Sequence, residues 1–243
     1  DGFYSVEPKS DRDFRAYLEQ LKIQRQQLIE RFKTKDNRLQ SLLPKENVQL
    51  PWNILKNGQS VYLQNVREGK PLFGVIKDIP AFSNKSEYKN LISEITEQWL
   101  GKNYPEADIL PPYKTGTLYP DAHYFTLHTD DGRLQAIANV EIQNDGIAWG
   151  RSLNTAPQNQ GSNAEIRGCG EAVIARMVSF CLETGNKVLK FATDKPENIR
   201  FYKNLGMVND GTRNFGGTIH TVLKFDEDSM KTFLNKYQIN LSF

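Results

Sequence analysis

The 243 residues suffice for one large domain or for one domain plus an extension, and the pattern of elements favours the second. Basic and acidic residues, 31 against 29, nearly cancel to a formal charge of +2, and no Lys/Arg-rich run stands out, which removes the usual footprint of a nucleic-acid or membrane-surface binder. No apolar run approaches the roughly 20 residues needed to span a bilayer.

The start, Asp1-Gly2-Phe3-Tyr4, carries no signal-peptide pattern and reads as trimmed. From Asp11 to Leu43 the residues Phe14, Leu18, Leu21, Leu28, Phe32, Leu39 and Leu42 recur at spacings of three and four, broken at Arg25 and Lys35. This predicts a long amphipathic helix, capped by Ser10 or Asp11 and stopped by Pro44, that packs on its own domain or serves as an oligomerisation or partner-binding arm. Residues 1–45 are therefore taken as an N-terminal extension.

Residues 46–120 are expected to form an additional α/β segment. Strands are predicted at 60–66 and 72–77, parted by the turn Glu68-Gly69-Lys70-Pro71. A helix over 86–100 would bury Leu91, Ile92, Ile95, Trp99 and Leu100. The Pro-, Gly- and Tyr-rich stretch 101–120 reads as a loop or lid.

The third region, 121–243, opens on three strands, 123–129, 133–143 and 147–155, joined by turns that contain Asp131-Gly132 and Asp145-Gly146. A helix over 170–184 follows, with Val173, Ile174, Met177, Val178, Cys181 and Leu182 on one side and Gly185 after its end. Then come a strand at 187–193, a short helix with Pro196 in its first turn and Leu205-Gly206 at its end, and a strand pair closing near Phe225. The succession predicts an α/β fold, a mixed and largely antiparallel sheet flanked by helices. Cys169 and Cys181 stand too far apart on the helical segment and its leading loop to bridge, which fits a reducing, cytoplasmic setting.

The stretch Arg167-Gly168-Cys169-Gly170-Glu171-Ala172 lies between a strand end and a helix start, where backbone N–H groups and the positive end of the helix dipole are free to meet an anion. The expected ligand is a pyrophosphate. The spacing fits neither a Walker loop nor a dinucleotide fingerprint, since Val173 stands where the latter needs Gly or Ala.

Three motifs in this order resemble the GNAT superfamily of N-acetyltransferases over residues 123–225. Arg167 to Ala172 is similar to that family's coenzyme A pyrophosphate loop. Leu153-Asn154-Thr155-Ala156-Pro157 resembles the end of its fourth strand, whose backbone pairs with the pantetheine arm. Phe201-Tyr202-Lys203-Asn204-Leu205-Gly206-Met207 resembles its Phe-Tyr-containing helix ending. The resemblance implies acetyl-CoA as co-substrate, with Leu153, Asn154, Thr155, Arg167, Gly168, Cys169, Gly170, Glu171, Ala172 and Asn198 around it and Tyr202 as the acid that protonates the departing thiolate. It departs from the family in the nine residues 158–166, a longer loop than usual, and in Lys195, where an Asn is common; Asn198, four residues before Tyr202, is a candidate replacement.

Acyl transfer to a primary amine of ordinary pKa, about 10.4, also needs a base. The strand 147–155 holds no carboxylate, so Glu141 on the preceding strand is the first candidate and His220 the second. His123 and His128 have no partners that suggest a metal, and none is expected. Cys169 is read as a loop-filling residue and not a nucleophile. Trp149 and Arg151 alternate on their strand and could line an acceptor pocket, the indole also suiting the core. Met177 and Phe191 are the side chains expected to limit acyl length. The acceptor would be a small molecule or a peptide or protein amine, with no nucleic acid and no membrane. The alternatives are a non-catalytic acyl-CoA-binding or regulatory domain and an interaction or effector protein working through the 11–43 helix, including a homo-oligomer.

Overall fold

The computed structural model describes residues 54–81, 85–99, 122–143, 145–161 and 163–239, all within one compact unit, Leu50–Phe243. The expected 11–43 helix, the 101–120 loop and Leu100 lie outside the described residues.

In chain order come β1 (Ser60–Asn65), β2 (Lys70–Ile79), α1 (Lys85–Trp99), β3 (His123–Thr129), β4 (Leu134–Ile142) and β5 (Ile147–Thr155). A 3₁₀ turn (Pro157–Asn159) and the two-residue β6 (Ile166–Arg167) lead to α2 (Cys169–Glu183), followed by β7 (Val188–Thr193), α3 (Pro196–Asn204), β8 (Val208–Phe215), β9 (Thr218–Asp226) and α4 (Glu227–Ile239). The strands form one sheet in the order β6-β1-β2-β3-β4-β5-β7-β9-β8, and every neighbouring pair is antiparallel except β5 with β7. The fold is thus the expected mixed, largely antiparallel sheet flanked by helices. Strands of the 46–120 segment join the same sheet through β2 and β3. The helix α4 was not anticipated, although Met230, Phe233, Leu234 and Tyr237 repeat at helical spacing and are buried.

Two apolar layers cover the sheet. On one face α2 lays Val173, Ile174, Met177 and Val178 against Val61, Ile76, Phe125 and Val140, and α4 closes the same core over Phe225. On the other, Leu91, Ile95 and Trp99 of α1 pack on Tyr124, Leu134 and Ile137, with Ile92 partly buried beside them. Trp99 Nε1 donates to the Leu134 carbonyl at 3.0 Å, and His128 Nε2 meets Glu94 Oε1 at 2.8 Å, so the α1 contact is polar as well as apolar. Both cysteines are buried and free. No helix among the described residues is long and apolar enough to cross a membrane.

The position of α2 along the sheet is set by one buried cation. The Arg176 guanidinium donates to both oxygens of Asp78 (Nη2–Oδ2 2.7 Å), to Glu183 Oε2 at 3.0 Å and to the Leu55 carbonyl at 2.9 Å. Its side chain is 5% exposed and that of Asp78 8%, so neither charge has water to fall back on. Burial opposes ionisation of Asp78, yet the neighbouring His123 ring and the hydrogen-bonded Arg176 guanidinium outweigh it and hold the carboxyl below its ordinary value.

Replacing Arg176 by Gln leaves the buried Asp78 carboxylate without its guanidinium partner, and urea unfolding is expected to show a loss of about 3–5 kcal/mol. The sign of the pH effect follows from the lowered Asp78 value: its stabilisation is present above the ordinary carboxyl value of 3.8 and disappears as pH falls through the lower folded value. Acid unfolding of Asp78→Asn should therefore be less steep than that of the parent chain.

Candidate active site at the parting of β5 and β7

β5 and β7 pair only from Ile147↔Val188 to Gly150↔Phe191. Beyond Gly150 the strands part, β5 staying with β4 and β7 with β9. Two local features accompany the parting. A Cβ on Gly150 would sit 2.1 Å from Phe191 Cε1, so only glycine lets that ring lie against the β5 backbone. The β4 register then shifts: Asn139 faces Ser152 while Val140 faces Gly150, which leaves Arg151 as an extra, bulged residue. Asn139 Oδ1 accepts the Ser152 N–H at 3.0 Å and fixes that bulge.

A cavity of about 790 Å³ opens in the gap. Leu153, Asn154 and Thr155 form its β5 wall, along an edge that has lost its strand partner on that side. An extended ligand chain can run along such an edge in place of the missing strand, next to the Thr155 carbonyl that accepts from Gln160 Nε2 at 3.1 Å.

The start of α2 forms the second wall. Gly168 caps the helix with φ 90°, a left-handed conformation that glycine adopts without strain, and Arg167, Gly168, Gly170 and Glu171 all line the cavity. The first bond of this turn runs from the Ala172 N–H to the Gly168 carbonyl at 2.9 Å, so the amides of Cys169, Gly170 and Glu171 precede it and are left for an anion. Ala172 differs from expectation: it is fully buried and its amide is used within the helix. Gly170 has no positive φ, and a Cβ there would lie 3.4 Å from Phe201 and 3.6 Å from Thr155, an ordinary packing distance. Folding does not demand glycine at 170; open space over the amides does.

Cys169 turns inward. Asn159 Nδ2 approaches its sulfur at 3.7 Å, and burial pushes its thiol up to about 12. The same Asn159 donates to Gln135 Oε1 at 2.7 Å and accepts from the Ile166 N–H at 3.1 Å, tying the long 158–166 loop to β4. Sequence reasoning passed over Gln135 and Asn159, whose only signal was polar character at positions otherwise patterned as strand and turn. Burial pushes the Glu171 carboxyl above its ordinary value, the direction that weakens its repulsion of a bound anion.

α3 supplies the third wall with Asn198, Phe201 and Tyr202. Tyr202 stacks on Phe191 with ring centroids 4.7 Å apart, and its hydroxyl makes no hydrogen bond among the described residues. Burial raises its phenol above the ordinary value, so it stays protonated at neutral pH. Asn198 Nδ2 points to Thr193 Oγ1 at 3.4 Å.

Other expected residues fall elsewhere. Glu141 is the register partner of Trp149 and does not line the cavity; Arg151 closes on its Oε2 through both Nε (2.7 Å) and Nη2 (2.6 Å), leaving that oxygen no free role as a base. His220 lies on β9 opposite Arg213, edge-on to Phe215. Met177 is buried in the core, whereas Phe191 does line the cavity. Among the described residues no group of three or more His, Cys, Asp or Glu could hold a metal ion.

No protein-family model matches the chain, and no curated protein matches it. Solved structures do. An acetyltransferase of the GNAT family from Desulfovibrio desulfuricans aligns over 63% of this chain and 99% of its own at 16% identity and TM-score 0.47. Mutant forms of the spermidine/spermine N-acetyltransferase SpeG from Vibrio cholerae align over 67% and 98% at 14% identity and TM-score 0.44. The IAA acetyltransferase from Bacillus cereus aligns over 63% and 99% at 12% identity and TM-score 0.42. The likeness is remote, and the functional reading rests on the residues of the cavity.

Gly170→Trp should keep the circular dichroism of the parent chain, because the position opens onto the cavity, and should lose calorimetrically measured binding of coenzyme A. Retained binding would move the anion site away from the α2 start.

Proposed function

We propose that the described unit is an acyl-CoA-dependent N-acyltransferase that moves an acetyl group directly from acetyl-CoA to a primary amine. One observation carries this reading: the start of α2, the stretch of β5 beyond its pairing with β7 and the Tyr202 side chain all border the same cavity. A volume of about 790 Å³ leaves room for a large ligand with an anionic end. A pyrophosphate would lie on the amides of Cys169, Gly170 and Glu171, with Arg167 beside it, while an amide-bearing arm would add to the 151–155 edge as an extra strand does.

The thioester supplies an activated acyl group. The chain would hold its carbonyl near β5 amides that have no strand partner on that side, ready for negative charge as it develops on the oxygen. Overall the amine nitrogen gains a bond to the acyl carbon, the carbon–sulfur bond breaks, and one amine proton ends on the thiol. Tyr202 is the group proposed to deliver that last proton. The desolvation that keeps its phenol protonated also raises the proton affinity of a thiolate in the same cavity.

The closure of Glu141 on Arg151 favours one second reading, an acyl-CoA-binding module without turnover. Tyr202→Phe separates the two. In an enzyme, kcat should fall about 10²-fold or more while the dissociation constant for acetyl-CoA holds, the range for loss of a positioned proton donor. If the parent chain binds acetyl-CoA and turns over no amine at all, the binding module stands and the transferase does not.

A further inference from the structure

The sheet face turned away from α2 carries a row of polar side chains that the cavity walls do not include. Lys190 is the register partner of both Trp149 and Lys224, and Trp149 is the partner of Glu141, so the row crosses β4, β5, β7 and β9. Leu189 and Phe191 point into the α2 core, which fixes Lys190 on the opposite face by the period of the strand. Arg213 of β8 joins from the side, its guanidinium 4.8 Å from the Trp149 ring centre, with Lys190 Nζ at 5.9 Å.

The charges in this row do not balance. Glu141 is bound by Arg151, and the single carboxylate of Asp210 serves both Lys190 (2.7 Å) and Lys224 (2.9 Å). Arg213 has no ion pair among the described residues. Arg151, Lys190, Arg213 and Lys224 thus face Glu141 and Asp210, four cations against two carboxylates. The row meets the cavity at Arg151, which is among the lining residues while it holds Glu141.

We propose that this row is the acceptor platform and that the acceptor is an amine carrying a carboxylate, such as a free amino acid. This rests on the acyltransfer reading above. The Arg213 guanidinium takes the carboxylate in a two-pronged contact over the Trp149 indole, and the amine extends past Arg151 into the cavity. A guanidinium suits the task because its fork of donors matches a carboxylate and its plane lies well on an aromatic ring. A polyamine is disfavoured on the same grounds: it would bring further positive charge to a face that already has an excess.

The test measures thiol release from acetyl-CoA by the full chain with free L-amino acids, the matching amino acid amides and spermidine, alongside calorimetric titration of acetyl-CoA on the same preparation. Free amino acids should exceed their amides in kcat/KM by about tenfold or more, the worth of a hydrogen-bonded charge pair. Arg213→Gln should raise KM for the amino acids by a similar factor, leaving KM for the amides and the affinity for acetyl-CoA unchanged, and Arg213→Lys should restore part of the loss. An N-acetyl amino acid should also quench tryptophan emission in the parent chain and not in Trp149→Phe. Amides or spermidine serving as well as the amino acids, no turnover of any carboxylate-bearing amine, or a KM indifferent to Arg213→Gln would each overturn the platform while acetyl-CoA still binds. Absence of acetyl-CoA binding would instead remove the acyltransfer reading, and the platform with it.

Discussion

The cavity exists because β5 and β7 cannot stay paired beyond Gly150. The Phe191 ring takes the space beside the β5 backbone that a side chain would fill, and the extra residue Arg151 turns the strand just where the pairing ends. A bulge costs a ladder bond and gains a change of direction. Here the change of direction leaves one edge of β5 without a neighbouring strand, puts Arg151 on the cavity wall, and leaves Phe191 to stack with Tyr202. Three walls of the site therefore trace to one local break in the sheet.

An opening of this kind must be braced, since the helix whose start forms one wall could otherwise slide along the sheet. Two buried polar networks brace it. Arg176 ties the middle of α2 to Asp78 on β2 and to the carbonyl of Leu55, and Asn159 ties the loop before α2 to Gln135 on β4. Both are nearly closed to water, where a satisfied hydrogen bond specifies position and an unsatisfied one is costly. The amides of Cys169, Gly170 and Glu171 are held in place by these contacts, not by the glycine loop alone.

Charge is divided between the two sides of the break. On the cavity side Arg167 and the helix amides offer positive potential to an anionic ligand, with Glu171 the opposing carboxylate among the residues at the α2 start. On the sheet face turned away from α2 Asp210 bridges two lysines, and hydrogen bonds from both hold its carboxyl below the ordinary value, which leaves Arg213 over the buried Trp149 as the unmatched charge. Arg151 belongs to both regions, and its pairing with Glu141 is the link between them.

The amino-acid sequence by itself determined the order and type of the elements from β1 to β9 except the 3₁₀ turn and β6, because alternating apolar residues, Asp-Gly turns and a capped apolar stripe are local signals. It also marked the Gly168-Cys169-Gly170 loop, since a helix start after a strand exposes amides whatever the tertiary context, whereas Tyr202 was marked only by the resemblance of its Phe-Tyr motif. The short, polar α4 was legible in its spacing and was missed. Only the tertiary structure decided what depends on pairing between distant residues. The break at Gly150 needs the Phe191 ring from another strand. Glu141 is closed by a bulged arginine ten positions away, Ala172 turns into the core, and Arg213 reaches Trp149 only because β8 lies at the sheet edge beyond β9. Register and burial are long-range properties, and local residue spacing does not contain them.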